Sequence, residues 1–172
     1  MMYDDPLKIR KGSIEDIDKI YQLVEEQAIH HKVELDDVKN TAEQMRQDAF
    51  GEDAFFKFLV AEHDGEVVGT AIYYFTYSTW KGKSLYLEDL IVKQGMRGLG
   101  IGQKLFEALA QEGERLNVSK VTWQVAEDNT KAIRFYERFD ADFDEEWIYC
   151  TLESHQLEAI SSSVEEHEAV PA

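Results

Sequence analysis

Arg97-Gly98-Leu99-Gly100-Ile101-Gly102 is the stretch on which the reading of the fold turns. It follows the largely apolar run from Ser84 to Lys93. It precedes Ile101, Leu105, Phe106, Leu109 and Leu116, whose spacing predicts an amphipathic helix. Glycines between a strand and a helix let the backbone approach a ligand closely and adopt unusual dihedrals. The N–H groups of the first helical turn then face an anion, with help from the helix dipole, and Arg97 adds a cation. Tight packing of a helix against a sheet is the other use of such a turn. Two well-known phosphate loops do not fit. A nicotinamide fingerprint would follow the first strand of a parallel unit, with an acid about 20 residues later. A P-loop would end in Gly-Lys-Ser/Thr.

Working upstream, Leu7 to Lys11 alternates like a short strand, and Ser13 ahead of Glu15 and Asp16 suits a helix start. Ile14, Ile17, Ile20, Tyr21 and Val24 carry that helix to about His30, and a second spans Thr41 to Phe50, closed by Gly51. Phe55 to Glu62 and Glu66 to Tyr77 read as strands joined at His63-Asp64-Gly65. Ser84 to Lys93 is a third strand of that group, after a turn at Trp80-Lys81-Gly82-Lys83. Downstream, Lys120 to Ala126 reads as a strand, Asn129 to Phe139 as a helix and Glu146 to Leu152 as a last strand. This order predicts an α/β fold, a mixed central sheet flanked by helices, over residues 1–153. Residues 154–172 lack a sustained apolar pattern and are expected to form an acidic, mostly disordered tail.

Composition bounds the function. At 172 residues with 44% hydrophobic side chains, the chain can build an ordinary core without a disulfide or metal staple. The single cysteine, Cys150, can form no intramolecular disulfide and reads as a core thiol in a reducing compartment. The net charge of −17 disfavours nucleic acid and favours a cationic partner. Ten carboxylates and no Lys or Arg follow Arg138, so the chain up to that residue carries only −7. Met1 to Gly12 holds no apolar run of signal-peptide length, and no stretch reaches the ~18 apolar residues of a membrane span. A cytoplasmic location is therefore expected. His30 and His31 lack a third ligand at metal-binding spacing, so no metal site is expected.

Arg97, Gly100 and Gly102, in the form R-x-x-G-x-G, are followed by Asn129, Ala132 and Tyr136 on the helix after the next strand. Together they resemble the coenzyme-A loop and the second signature of the GNAT acetyltransferases. Tyr73-Tyr74-Phe75-Thr76-Tyr77-Ser78-Thr79-Trp80, Leu85-Tyr86-Leu87-Glu88-Asp89 and Trp147 are similar to the spermidine/spermine (diamine) group of that superfamily. The likeness runs from about Leu7 to Leu152. It implies the GNAT fold, acetyl-CoA as cosubstrate, a homodimer, and acetyl transfer to a primary amine of a small polyamine or diamine by direct attack in a ternary complex.

The resemblance also assigns roles. It places coenzyme-A contacts at Leu90, Ile91 and Val92, at Arg97, Gly98, Leu99, Gly100, Ile101, Gly102 and Gln103, and at Asn129, Thr130, Lys131 and Ala132. Glu88 is the base, acting through a water, Asp89 helps hold the cationic substrate, and Tyr136 protonates the leaving thiolate. Oxyanion donors are expected among backbone N–H groups near Leu90 to Val92. Trp80 and Tyr77 are candidates for an aromatic wall against the substrate. His30 and His31 stand where the diamine branch carries an aromatic–acid pair, and Ser78 where it tends to have an acid. Ser78-Thr79-Trp80-Lys81-Gly82 looks more like the sister branch acting on thialysine. Thialysine or lysine-like amino acids are thus an alternative acceptor, and a noncatalytic acyl-CoA-binding module is a further alternative. Adjacent strand residues point to opposite faces, so Glu88 and Asp89 can share a site only where the strand is distorted.

Overall fold

A computed structural model of the chain describes residues 7–144 and 146–168, with side-chain surroundings up to residue 162. The chain divides into two compact units, the first ending at Gln124 and the second beginning at Val125.

The first unit is built on five strands: β1 (Leu7–Lys11), β2 (Lys57–His63), β3 (Glu66–Ser78), β4 (Gly82–Val92) and β5 (Val121–Thr122). They lie in the order β1-β2-β3-β4-β5, antiparallel from β1 to β4, with β5 parallel to β4. The sheet is therefore mixed, as its sequence pattern predicts. Asp64 and Gly65 both adopt positive φ in the β2–β3 turn, the backbone that a two-residue hairpin requires.

Helices α1 (Ile17–His30) and α2 (Ala42–Phe50) pack on one face. Ile17, Ile20 and Leu23 recur at helical spacing and join Met45, Phe58, Val60, Val67, Ile72 and Ile91 in one buried cluster. Each such fully buried side chain contributes about 1.5–3 kcal/mol. The start of α1 is pinned to β1, because both terminal nitrogens of Arg10 reach the Asp16 carboxylate, at 2.7 and 2.8 Å. Asp16 also accepts from the Ser13 N–H, and the Arg10 guanidinium holds its carboxyl below the usual range. Thr41 caps α2 by accepting from the Gln44 N–H at 3.1 Å.

Helix α3 (Ile101–Arg115) covers the other face. A Cβ at Gly69 would fall 2.8 Å from the Ile91 carbonyl oxygen of the neighbouring strand β4 and 3.1 Å from Leu105 Cδ1 of α3. Glycine at this position lets β3 lie close to both.

The second unit contains α4 (Thr130–Glu137) and α5 (Ser154–Glu168). Two strand expectations change. The predicted strand from Lys120 to Ala126 contracts to Val121–Thr122, and Glu146 to Leu152 is irregular and exposed. Alternating composition yields a strand only where a neighbouring strand completes the ladder, and no described strand pairs with these seven residues. Cys150 is accordingly exposed rather than a core thiol. Helix α5 occupies the region expected to be disordered, and its described side chains are all exposed; residues 169–172 lie outside the described residues.

Candidate functional site

The β3–β4 ladder slips by one residue. Ile72 pairs with Asp89 and Tyr73 with Leu87, so Glu88 is an extra residue on β4. Such a bulge bends the strand and re-aims side chains. Leu87 and Asp89, two apart, now belong to opposite faces: Leu87 is buried opposite Tyr73, while Asp89 is reached from α1. The distortion needed to relieve strict alternation between Glu88 and Asp89 is therefore present. Glu88 is exposed and Asp89 half-buried. Burial raises the Asp89 pKa, repulsion from Glu88 raises it further, and the Gln27 hydrogen bond and the His31 imidazole pull it back.

Gln27 is the residue that the sequence reading missed. It donates Nε2–H to Asp89 Oδ1 at 2.9 Å. The spacing places Gln27 on the stripe of α1 that Ile20 and Leu23 bury, but not its partner across 62 residues. His30 closes α1, His31 caps it, and their exposed rings meet edge to face at 5.6 Å. No group of three His, Cys, Asp or Glu among the described residues is arranged to hold a metal ion.

Beyond the bulge, one edge of β4 is open. The β4–β5 pairing covers only Leu85↔Val121 and Tyr86↔Thr122, so from Leu87 onward that edge meets no described strand. The Lys93 N–H donates to the Val68 carbonyl at 2.9 Å. Antiparallel alternation then turns the N–H and C=O of Ile91 toward β3 and those of Leu90 and Val92 toward the open edge. The Val92 carbonyl accepts from Arg97 Nε at 3.0 Å, which agrees with that assignment. Two backbone donors thus stand one residue beyond the acidic pair and three beyond it.

The glycine turn continues from this strand end. Gly98 and Gly100 both have φ near +80°, and nothing lies within 4 Å of a Cβ added to either. Gly100 is the left-handed residue that starts α3, and a branched side chain there would be strained. The first N–H groups of α3, at Ile101, Gly102 and Gln103, have no carbonyl one turn back within the helix. Arg97, Gly98, Leu99 and Gly100 are all exposed around them. This turn suits the approach of an anionic phosphate group, and the backbone there leaves room for one.

Asn129, Thr130, Lys131, Ala132 and Tyr136 lie in the second unit. The Asn129 side chain caps α4 by accepting from the Ala132 N–H at 3.2 Å. Tyr136 is buried, and desolvation pushes its hydroxyl pKa up to about 12. Trp80 and Tyr77 stand apart from the acidic pair. They occupy the tip of the β3–β4 hairpin, 89% and 76% exposed. Gly82, next to that tip, is six residues along β4 from Glu88, about 20 Å at the rise of an extended strand. Within one chain the structure does not bring this aromatic pair to Glu88.

Comparison with known proteins bears on the family and the fold. Residues 17–141 match the Acetyltransferase (GNAT) family. Thialysine N-epsilon-acetyltransferase of Bos taurus is 39% identical over 141 residues, covering 77% of this chain and 82% of that protein. Spermidine/spermine N(1)-acetyltransferase-like protein 1 of Homo sapiens is 34% identical over 139 residues, covering 77% of this chain and 20% of that longer protein. Among solved structures, an integron cassette protein of V. cholerae superposes with a TM-score of 0.74 at 22% identity, covering 91% of this chain and 98% of that one. An aminoglycoside acetyltransferase from an uncultured soil sample superposes at 0.70 with 24% identity, covering 87% and 99%. At those identities the two structures establish the fold alone.

Proposed function

The chain belongs to the acetyltransferase (GNAT) family, whose acetyl donor is acetyl-CoA, and on that premise we propose that this N-acetyltransferase acts on a primary amine of a small polyamine or diamine. The bulge at Glu88 is the observation that carries the reading, because it sets two carboxylates beside an open strand edge with backbone donors. An acceptor amine reaches the site as an ammonium ion and must lose a proton before it can attack. Glu88, exposed and negative, takes that proton through a water. Asp89 keeps a negative charge against the cationic acceptor.

Acetyl-CoA supplies the acetyl group as a thioester, whose oxygen gathers negative charge and whose sulfur departs as a thiolate. The N–H groups of Leu90 and Val92 are the donors for that oxygen. The Gly98–Gln103 backbone and Arg97 hold the pyrophosphate, and Asn129 to Ala132 complete the binding of the cosubstrate. Tyr136 gives its proton to the thiolate; with a pKa near 12 it is still protonated at any ordinary assay pH. Action in the cytoplasm as a homodimer is part of the proposal. Among the described residues no helix is long and apolar enough to cross a membrane, and the long β3–β4 arm extends past β2, which pairs with β3 only as far as Tyr73.

A second reading is transfer to thialysine or a similar basic amino acid. It is favoured by the Bos taurus relative and by Ser78, whose hydroxyl accepts from the Trp80 and Lys81 N–H groups and so shapes the hairpin turn. Coenzyme-A release with putrescine, spermidine and thialysine as acceptors ranks the two readings, and no turnover with any of them rejects both. In the same assay Tyr136→Phe is expected to lower kcat by about 10²-fold with little change in the amine KM.

A further inference from the structure

Asp89 is anchored by a neutral side chain. Gln27 stands on the sheet-facing stripe of α1, and its Nε2–H donates to Oδ1 at 2.9 Å. Oδ2 has no hydrogen-bond partner among the described residues, and none of their fully buried side-chain polar atoms is left unpaired, so Oδ2 is not sealed from solvent. A Lys or Arg at this position would complete an ion pair and cancel the carboxylate's charge. An apolar residue would leave the carboxylate half-buried with no donor on Oδ1. The amide does neither: it fixes the orientation of Asp89 and leaves its full charge available.

We propose that Gln27 is a positioning residue that sets acceptor specificity, orienting Asp89 so that Oδ2 meets a positively charged nitrogen of the acceptor other than the one acetylated. The inference rests on the amine-acceptor reading and adds what the site selects, a second ammonium group at the far end of the acceptor. The groups facing Asp89 are consistent with that role. Glu88 adds negative charge on the strand, and the His31 imidazole, one helical turn beyond Gln27, pulls the Asp89 pKa back down. A neutral amide between them keeps the balance negative where the second ammonium would sit.

The test compares putrescine with butylamine, equal in carbon count but with one amine fewer, on the full chain with acetyl-CoA. The wild-type enzyme should favour putrescine. Gln27→Leu should raise the putrescine KM roughly tenfold, the worth of a hydrogen bond to a charged group, while kcat and the acetyl-CoA KM stay within about twofold. The butylamine KM should not move. Gln27→Lys should erase the preference for the diamine by neutralising Asp89. An unchanged putrescine KM in Gln27→Leu, or an equal loss on both acceptors, overturns the proposal, the second outcome marking a merely structural residue. Should the wild-type enzyme acetylate neither these two amines nor spermidine or thialysine, the amine-acceptor reading fails separately. The orienting role is then read from the Asp89 carboxyl by NMR titration: Gln27→Leu should move its pKa upward, and an unmoved Asp89 overturns the role.

Discussion

The two ends of the β3–β4 hairpin share the same strands and differ in almost everything else. At one end the ladder slips, Glu88 is extruded, and Asp89 is gripped by α1. Beneath the slip Tyr73 is fully buried, with its hydroxyl 3.5 Å from Glu112 on α3. At the other end the register is regular, and Tyr77 and Trp80 stand in solvent. The placing of this acidic pair therefore depends on register and on support from both helical layers, whereas aromatic composition alone builds only an exposed tip. The sharpest way to break this contrast is Glu88→Gln. It keeps the shape of the bulge and removes the proposed base, so kcat should fall by about 10²-fold or more, with the amine KM little changed. A loss under about tenfold in a coenzyme-A release assay would mean that the bulge merely presents a solvated charge.

The support under the bulged end is itself electrostatic, and its effect is intermediate in size. Glu112 is buried on α3, accepts from Arg115 at 2.7 Å and lies 3.3 Å from Lys11 of β1. Arg115 and Lys11 together hold its carboxyl down to about 2, against an ordinary 4.5. The folded state thus keeps Glu112 charged at pH values where the unfolded chain has already taken up the proton. Its stabilising contribution is complete above about 4.5 and is lost as pH falls toward 2. Both cationic partners are more than half exposed, so solvent screening reduces the energy. Denaturant unfolding measured across that window should show stability falling with pH less steeply in Glu112→Gln than in the wild type. Asp16, also depressed by its Arg10 partner, adds to the slope in both proteins and cancels in the comparison. Equal slopes would mean that Arg115 and Lys11 do not stabilise the charged form of Glu112 in the folded state.

The legible parts of the fold were those whose signal is local. The unusual backbone at Gly98 and Gly100 was readable because glycine permits positive φ, and both adopt it. The α1 and α2 boundaries followed from Ser13, Thr41 and the apolar spacing, although a short 3₁₀ turn at Ile14–Asp16 precedes α1. Three things were not legible. The bulge is a property of pairing between β3 and β4, and Glu88-Asp89 reads identically with or without it. The Gln27–Asp89 bond joins residues 62 apart in sequence, so no spacing rule announces it. The segment from Trp147 to Leu152 has the composition of a strand, but β-propensity only describes how well a residue fits a pleated surface that other strands supply.

The smallest effect is the most discriminating for the exposed end of the hairpin. Trp80 lies in the turn beyond Gly82, itself about 20 Å along β4 from Glu88 and so beyond the reach of a side chain in the same protomer. If each chain works alone, Trp80→Ala should change kcat/KM by no more than about twofold, the ordinary consequence of an exposed substitution worth ~0.5 kcal/mol or less. A tenfold rise in amine KM would require the tip to serve the site of a second copy. The loss would then depend on assembly: specific activity of the wild-type enzyme should fall on dilution as dimers separate, and mixing Trp80→Ala with Glu88→Gln should restore activity by forming one intact site from two defective chains. Size exclusion at the assay concentrations fixes which regime applies. In the first, the aromatic-rich hairpin tip has no part in binding the acceptor; in the second, the two ends of the hairpin belong to different sites, and the contrast between them describes how a dimer divides one acceptor pocket between its chains.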